Sequence, residues 1–296
     1  MLFTCLMQSV MAYEVEIWGW TEIEKLEKIM MDYVRWMFRL DLCTPRYIIS
    51  RELLMDKLRV GWGIRARRYE NRIKVGRNSW SVGKIVKECW KEKEQNNWSD
   101  IYGIEREKYY NRNGWGTEAK EVKEDVGDDL EKDLIDRERD IQRQWENKNI
   151  NAPRYNRRYK KIGLDVKLPN YLKSRNVEDL NRGEKIRAKI KVRCGNLEQT
   201  NKYWLEERQR LCIFCEEDWD CLEHYVKDCV KTSVWFADLG ADKDRVVEQI
   251  CEEDTDRRKG EILKKLWKER ERELKRRKEA SDERGKNKNN ITEIVE

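Results

Sequence analysis

The sequence has few prolines, one histidine and no long apolar run. Three prolines in 296 residues favour helix throughout the chain. A Ser–His or Cys–His catalytic pair would have to use His224, the sole histidine. The apolar stretch from Met1 to Tyr13 lacks the basic start of a signal peptide. Glu14 and Glu16 also end it short of the ~20 residues that a membrane span needs, so the sequence predicts neither feature.

Several catalytic motifs are also missing. There is no glycine-rich phosphate loop and no nucleophile elbow. A zinc deaminase needs a glutamate two residues after its histidine, whereas Glu223 precedes His224. Asp128 and Asp129 form the one adjacent Asp pair, and they sit at a predicted helix start rather than at the tip of apolar strands. The sequence therefore predicts no catalytic residue and a protein that is not an enzyme.

Charged residues make up 41% of the chain and its mean hydropathy is −1.01, values that taken alone favour disorder. Thirteen Trp and twelve Tyr oppose that interpretation. Each large ring buries on the order of 150–250 Å². We therefore expect a polar chain that nevertheless builds cores.

Helical periodicity recurs along the chain. Apolar residues from Leu26 to Leu40 return at three- and four-residue steps after a capping box at Thr21 and Glu24. Pro45 favours a helix start, and Gly195 a helix end. Further helices are predicted over 56–74, 81–94, from Thr117, from Asp128 and over 184–193, with a last one carrying Leu263, Leu266 and Trp267. The predicted fold is mostly α, with a small CCHC zinc knuckle and a basic C-terminal tail that is disordered from Ser281.

The cysteines around the histidine have the spacing C-x2-C-x8-H-x4-C, formed by Cys212, Cys215, His224 and Cys229. Two thiolates on a short turn with a histidine and a fourth ligand one helical turn on suit tetrahedral zinc. Four protein ligands leave no open position, so the predicted Zn²⁺ is structural. Cys221 is an alternative fourth ligand, but Cys229 keeps the last two ligands within about a turn and a half of one helix. The alternative is a set of buried or incidental thiols.

An odd cysteine count of nine and the CxxC spacing indicate an intracellular, reducing compartment, the cytoplasm or nucleus. Composition suggests a helical region over 1–146, a linker over 147–174 and a helical segment with the knuckle over 175–255. A basic helix and tail then occupy 256–296. In the linker, Tyr155 and Tyr159 alternate with Lys and Arg, which is typical either of base stacking or of an exposed polar loop.

The motif series resembles a known family. Arg193-Cys-Gly-Asn196, Tyr203-Trp-Leu205, Cys212-x2-Cys215, Glu223-His224 and Cys229 occur in this order. The series is similar to the C-terminal part of the reverse-transcriptase polyprotein of non-LTR (LINE-type) retrotransposons. Residues 13–20, 26–40 and 44–47 resemble the thumb or connection segment that follows the polymerase palm. The palm itself has no counterpart here, so the resemblance implies a truncated, catalytically inactive copy.

This resemblance implies binding to RNA or single-stranded DNA, with no small-molecule substrate and no membrane. Trp219 or Tyr225 would stack on a base. The cations expected to contact phosphates are Arg187, Lys189, Lys191, Arg193, Lys275, Arg276, Arg277 and Lys278. The basic character is concentrated near the C-terminus, since residues 256–290 hold 15 Lys and Arg against 8 Asp and Glu. The alternative function is a charged helical scaffold whose zinc knuckle mediates protein–protein contacts.

Overall fold

A computed structural model describes residues 8–74, 88, 101–116, 130–152, 154–162, 166–173, 182–254 and 256–292. Across these ranges the chain is mostly helical, without a β-strand, as the sequence predicts. The helices are α1 (Gln8–Met11), α2 (Val15–Trp18), α3 (Glu24–Phe38), α4 (Arg46–Leu53), α5 (Leu58–Lys74), α6 (Ile101–Arg112), α7 (Leu130–Asn151), α8 (Tyr159–Ile162), α9 (Asn170–Lys173), α10 (Arg182–Arg193), α11 (Leu222–Lys227), α12 (Ser233–Phe236), α13 (Lys243–Cys251) and α14 (Arg257–Thr292).

The predicted helices near residues 26–40, 56–74 and 184–193 are confirmed. Helix α3 begins at Glu24 rather than directly after Thr21, because the amides of Leu26 and Glu27 both donate to the carbonyl of Ile23. The predicted helix over 81–94 and the helix starts at Thr117 and Asp128 lie outside the described residues, apart from residue 88. Among the described helices, none is both long and apolar enough to cross a membrane.

Helix α14 is the longest helix of the described chain. Its backbone continues through Ser281, where the sequence predicts a disordered tail, as far as Thr292. Its first half packs through Leu263, Leu266 and Trp267, which are all buried. Beyond them the sequence contains no proline and is rich in Lys, Arg and Glu, which are good helix formers.

The chain divides into two compact units. The first contains Met1–Asp32 and Asp56–Asn147, and the second contains Tyr33–Met55 and Lys148–Glu296. The core of the first unit is aromatic. Trp20 lies 5.3 Å from Tyr109 between ring centroids, and Tyr109 lies 5.8 Å from Tyr110. Leu130 and Leu134 of α7 complete this core. The finer division at residues 146, 174 and 255 stays a prediction.

The core of the second unit surrounds the cysteine motif. Cys212 and Cys229 are fully buried in one cluster with apolar residues of α10, α11, α13 and α14. The segment predicted as a linker also contributes to this unit, since Tyr155, Tyr159 and Tyr171 are buried. The two tyrosines considered for base stacking, Tyr155 and Tyr159, are therefore not accessible to a base.

Helix α10 ends where the sequence predicts. Gly195 adopts φ 75°, and its amide donates to the carbonyl of Val192. The amide of Asn196 donates to the carbonyl of Lys191. This bond completes a C-terminal helix cap in which Gly195 has the left-handed backbone conformation. A Cβ at Gly195 would lie 2.8 Å from the side chain of Asn156, so close packing as well as φ requires glycine here.

One buried carboxylate connects distant parts of the second unit. Glu52 of α4 is 1% exposed and accepts hydrogen bonds from Arg193 of α10. The hydroxyls of Tyr159 and Tyr171 donate to the same carboxylate. Burying a charge is costly unless it is paired and hydrogen-bonded, and here four donor atoms from three residues satisfy it. The cluster joins α4, α8, α9 and α10.

Replacing Glu52 by Ala is expected to lower the free energy of unfolding of the second unit by about 3–5 kcal/mol, because it leaves Arg193 buried without its counter-charge. Urea unfolding, monitored through the hydrogen exchange of the α10 backbone amides, measures this loss. Arg276→Ala, in the same unit, is the control. Its exposed pair with Glu273 has N and O atoms 2.7 Å apart and should contribute about 0–1 kcal/mol. Equal losses in both variants would contradict the structural role of Glu52.

Candidate metal centre

Three cysteine sulfurs and one histidine nitrogen converge in the second unit. The ligand atoms of Cys212, Cys215, His224 and Cys229 all lie within 4.8 Å of one another. Cys212 Sγ is 3.9 Å from Cys229 Sγ, and Cys215 Sγ is 3.1 Å from His224 Nε2. Sulfur and nitrogen ligands around tetrahedral zinc lie roughly 3.5–3.8 Å apart, given ordinary bond lengths. These four residues could therefore hold one metal ion.

Cys212 and Cys215 lie on a tight turn that is closed by two backbone hydrogen bonds. The amide of Cys212 donates to Asp218 O at 2.7 Å, and the amide of Glu216 donates to Cys212 O at 3.0 Å. Glu216 has φ 63°, which reverses the chain directly after Cys215. The amide of Phe214 lies 3.4 Å from Cys212 Sγ and donates to it. Such an amide hydrogen bond stabilises a thiolate.

His224 and Cys229 come from α11 and the residues that follow it. The amide of Cys229 donates to His224 O at 2.9 Å, so the end of the helix fixes their relative position. Cys221 occupies the N-cap position of α11 and is not one of the four grouped residues. Of the two candidates for the fourth ligand, the structure thus places Cys229 with the other three.

Two thiols of the centre, those of Cys212 and Cys229, have opposite pKa shifts. Burial raises the pKa of Cys212 to about 12. Burial also raises that of Cys229, but hydrogen bonds from the Thr232 hydroxyl and nearby amides outweigh it, so this pKa lies below its ordinary value. A bound cation favours the thiolate form of a coordinating cysteine. Of these two thiols, that of Cys212 therefore depends more on a bound cation for its ionisation.

Asp218 faces the nitrogen of His224 that does not point toward the cysteines. Its Oδ2 lies 3.5 Å from Nδ1 of His224, which is buried and makes no hydrogen bond. Histidines that bind metals usually donate their other ring N–H to a carboxylate or carbonyl, which orients the ring. The backbone bond from Cys212 to Asp218 O holds Asp218 in this place. Asp218 is thus the carboxylate that we expect to orient the ring of His224 when a metal ion is bound.

Asp220 anchors the loop that carries Cys212 and Cys215 to the rest of the unit. It is 0% exposed and accepts from Arg270 Nη1 at 2.7 Å and from the hydroxyl of Tyr225. The amides of Gln199 and Ile213 also donate to it, at 2.8 and 3.4 Å. Arg270 belongs to α14 and lies 50 positions away in sequence. Sequence reasoning missed both residues, because no local pattern relates them.

The prediction that the cations of α10 contact phosphates is wrong for Lys189 and Arg193. Lys189 is 0% exposed and its Nζ donates to Ile250 O at 2.5 Å. Burial lowers the pKa of this lysine to about 8. Arg193 is committed to Glu52. Both side chains are bonded to the protein interior and cannot contact phosphate groups.

The remaining predicted cations of α10 are also engaged. Lys191 is buried, with its Nζ 5.2 Å from the ring centroid of Trp267. Arg187 is half-buried, and its Nε donates to Met37 O at 3.1 Å. Helix α10 is short and packs against α14 and other elements, so it leaves too little solvent-exposed surface for its cations to reach a ligand. Helix α10 is therefore removed from the predicted nucleic-acid surface.

The four predicted cations of α14 differ in accessibility. Lys275, Arg276 and Lys278 are exposed. Arg277 instead lies over the loop that carries Cys212 and Cys215, where its Nη2 is 2.6 Å from both Ile213 O and Glu216 Oε1. Arg277 thus acts as a clamp between α14 and the loop, and the other three form the accessible set.

The two aromatic residues predicted to stack on bases also differ. Tyr225 is 0% exposed and lies inside the core, so its predicted stacking role is wrong. Trp219 is 38% exposed, and the guanidinium of Arg210 lies 5.0 Å from its ring centroid. An accessible ring beside a cation is suited to base stacking.

Comparisons with protein-family models, with curated proteins and with solved structures find no match for this chain. The assignment of a function therefore depends on the residues and geometry described above.

Cys229→Ser is expected to reduce the bound metal to well below one ion per chain, because it removes one of the four ligands. Cys221→Ser is the matched control, and it should keep the wild-type content because its thiol is not in the group. Elemental analysis after purification measures both. The opposite pattern, with loss only in Cys221→Ser, would show that the wrong cysteine has been assigned.

Asp218→Asn is expected to weaken metal affinity by about 10–100-fold, the usual cost of removing the carboxylate partner of a metal-bound histidine. Competition with a chromophoric chelator measures this affinity. The neighbouring exposed acid Glu217 provides the control variant, Glu217→Gln, which should bind metal as the wild type does. An unchanged affinity in Asp218→Asn would exclude its positioning role.

Proposed function

We propose that this chain is a zinc-stabilised protein that binds RNA or single-stranded DNA. The zinc part of the proposal is carried by the convergence of three sulfurs and one imidazole nitrogen within 4.8 Å. Thiolate and imidazole ligands select zinc over magnesium or calcium. Four protein ligands close the coordination sphere, which is typical of a structural ion. The elemental analysis of the purified chain also tests whether the bound metal is zinc. A different metal in the site would contradict this part of the proposal.

The surroundings of the centre support a structural role. Cys212 and Cys229 belong to the apolar cluster of the second unit. Asp220, Arg270 and Arg277 connect the same loop to α14. A metal ion bound here would stabilise the arrangement of α11 and α14 together, and its binding free energy would contribute to folding.

The nucleic-acid part of the proposal is supported by charge and accessibility. Lys275, Arg276 and Lys278 are exposed on α14, within the stretch that holds most of the excess positive charge. Arg276 is paired with Glu273, and Lys275 with Glu279, but exposed pairs of this kind are weak. Phosphate groups can therefore compete for these cations.

The resemblance of the motif series to the C-terminal region of LINE-type retrotransposon polyproteins supports the same partner. The cysteine–histidine spacing and the Arg193-Cys-Gly-Asn196 helix end carry that resemblance. We propose a nucleic-acid-binding role for the residues of this sequence that carry the resemblance.

A second candidate function, protein–protein contact, is favoured by one specific observation. Tyr203 and Trp204 are 55% and 51% exposed, and their ring centroids lie 5.1 Å apart. Exposed Glu206 and Glu207 follow them. Aromatic residues are enriched at protein interfaces, and the adjacent acids would repel phosphate. Co-purification of a protein partner with the wild type but not with Trp204→Ala would support this second function.

Replacing Lys275, Arg276 and Lys278 by Gln is expected to weaken binding of a labelled single-stranded RNA. The salt slope of log K should fall by roughly 2, since each lost phosphate contact contributes about 0.7 for single strands. Fluorescence anisotropy across a potassium chloride series measures both quantities.

The control for this experiment removes the same charge from other exposed cations of the second unit, as Lys231→Gln, Lys243→Gln and Arg245→Gln. It should retain the wild-type salt slope. Binding that does not depend on salt, or no binding at low salt, would contradict the proposed function.

A further inference from the structure

A groove lined by arginines lies in the first unit. It encloses about 390 Å³ between α2, α5 and α7. Its lining residues are Glu16 of α2, Arg65, Arg68, Asn71 and Arg72 of α5, and Glu131 of α7. The second unit, which carries the metal centre, contributes none of these lining residues.

The arginines form a stripe along one face of α5. Their spacing of three and four residues places them about 4.5 and 6 Å apart along the helix axis. Neighbouring Ile64 and Ala66 point into the core, which leaves the arginine face outside. The side chains of Arg65 and Arg68 are 45% and 62% exposed. The guanidinium groups are therefore accessible to a ligand.

Close packing holds the wall of the groove in place. Trp18 of α2 meets Trp62 of α5 edge to face, with centroids 5.0 Å apart. A Cβ at Gly19 would lie 2.6 Å from the carbonyl oxygen of Trp62, so the two backbones approach as closely as glycine allows. On the arginine face, the guanidinium of Arg72 lies 5.8 Å from the ring centroid of Tyr69. The groove is thus built on rigid elements.

The charge balance of the groove favours an anion. Three guanidinium groups line it together with two carboxylates. Arg65 pairs with Glu16 at 2.6 Å and Arg68 with Glu131 at 2.9 Å. Exposed pairs of this kind contribute little in water. A phosphate group offers each guanidinium a bidentate partner of the same geometry, so it can replace the carboxylates.

We infer that this arginine groove binds successive phosphodiester groups of a single-stranded nucleic acid. The stripe from Arg65 to Arg72 extends about 10.5 Å along the helix, which exceeds a single phosphate ion and suits a strand. Asn71, whose side-chain amide offers two donors, lies in the same lining. The inference shares its ligand class with the proposed function but concerns a separate surface in the other unit.

The test uses the full chain with Arg65, Arg68 and Arg72 replaced by Gln and a labelled 20-nucleotide poly(U) RNA. We expect roughly tenfold weaker binding at about 100 mM salt and a salt slope reduced by roughly 2, because three phosphate contacts are lost. A second variant with Lys at all three positions keeps the charge but loses the bidentate fork. It should bind more weakly than the wild type and more tightly than the Gln variant. If the Gln variant does not fold, the Lys variant decides alone.

The matched control removes three cations of the same unit that are also exposed and paired with carboxylates, as Lys108→Gln, Arg139→Gln and Arg143→Gln. It should lose less than threefold. Equal losses in the groove and control variants would overturn the inference, and so would displacement of the RNA by millimolar inorganic phosphate at constant ionic strength. A loss confined to the α14 variant would overturn this inference alone, whereas a wild type that binds no RNA would overturn both proposals.

Discussion

The carboxylate of Asp220 is the group on which the geometry of the metal centre depends. Asp220 lies between Cys215 and His224 in the sequence and is fully buried. Its carboxylate accepts hydrogen bonds from Arg270 of α14, from Tyr225 of α11 and from two backbone amides. A buried, unpaired carboxylate would be strongly destabilising. The loop must therefore keep these partners, and in doing so it holds both halves of the ligand set against the last helix.

The same requirement governs the rest of a chain that is 41% charged. So polar a sequence cannot exclude charges from its interior, and the structure pairs them there instead. Glu52 accepts from Arg193 and two tyrosines, and Glu138 of the first unit accepts from Arg112 and Asn113. Lys189 is satisfied by carbonyls at the end of α13. Cations that look solvated in sequence thus become internal connections between helices.

This pairing explains which features were predictable. The helices follow from local periodicity, and Gly195 follows from the backbone conformation of a helix end, so both could be read from neighbouring residues. The metal ligands were predictable because all four lie within 18 residues of sequence. The choice between Cys221 and Cys229 depended on their positions in the folded chain. The pairing of Glu52 with Arg193 joins residues 141 positions apart. No local pattern encodes such a contact, and for this reason the orientation of the α10 cations was predicted wrongly.

The burial of the α10 cations changes where a nucleic acid would be bound. Phosphate binding needs cations that are accessible and only weakly paired. Arg270 and Arg277 fail this test because they are bonded to the loop that carries Cys212 and Cys215, and the lysines of α10 fail it because they are buried. Lys275, Arg276 and Lys278 on α14 and the arginine groove on α5 meet it. In the proposed function, a bound metal ion would fix the helices of the second unit, and contact with phosphate groups would fall to surfaces that do not contain the metal ligands.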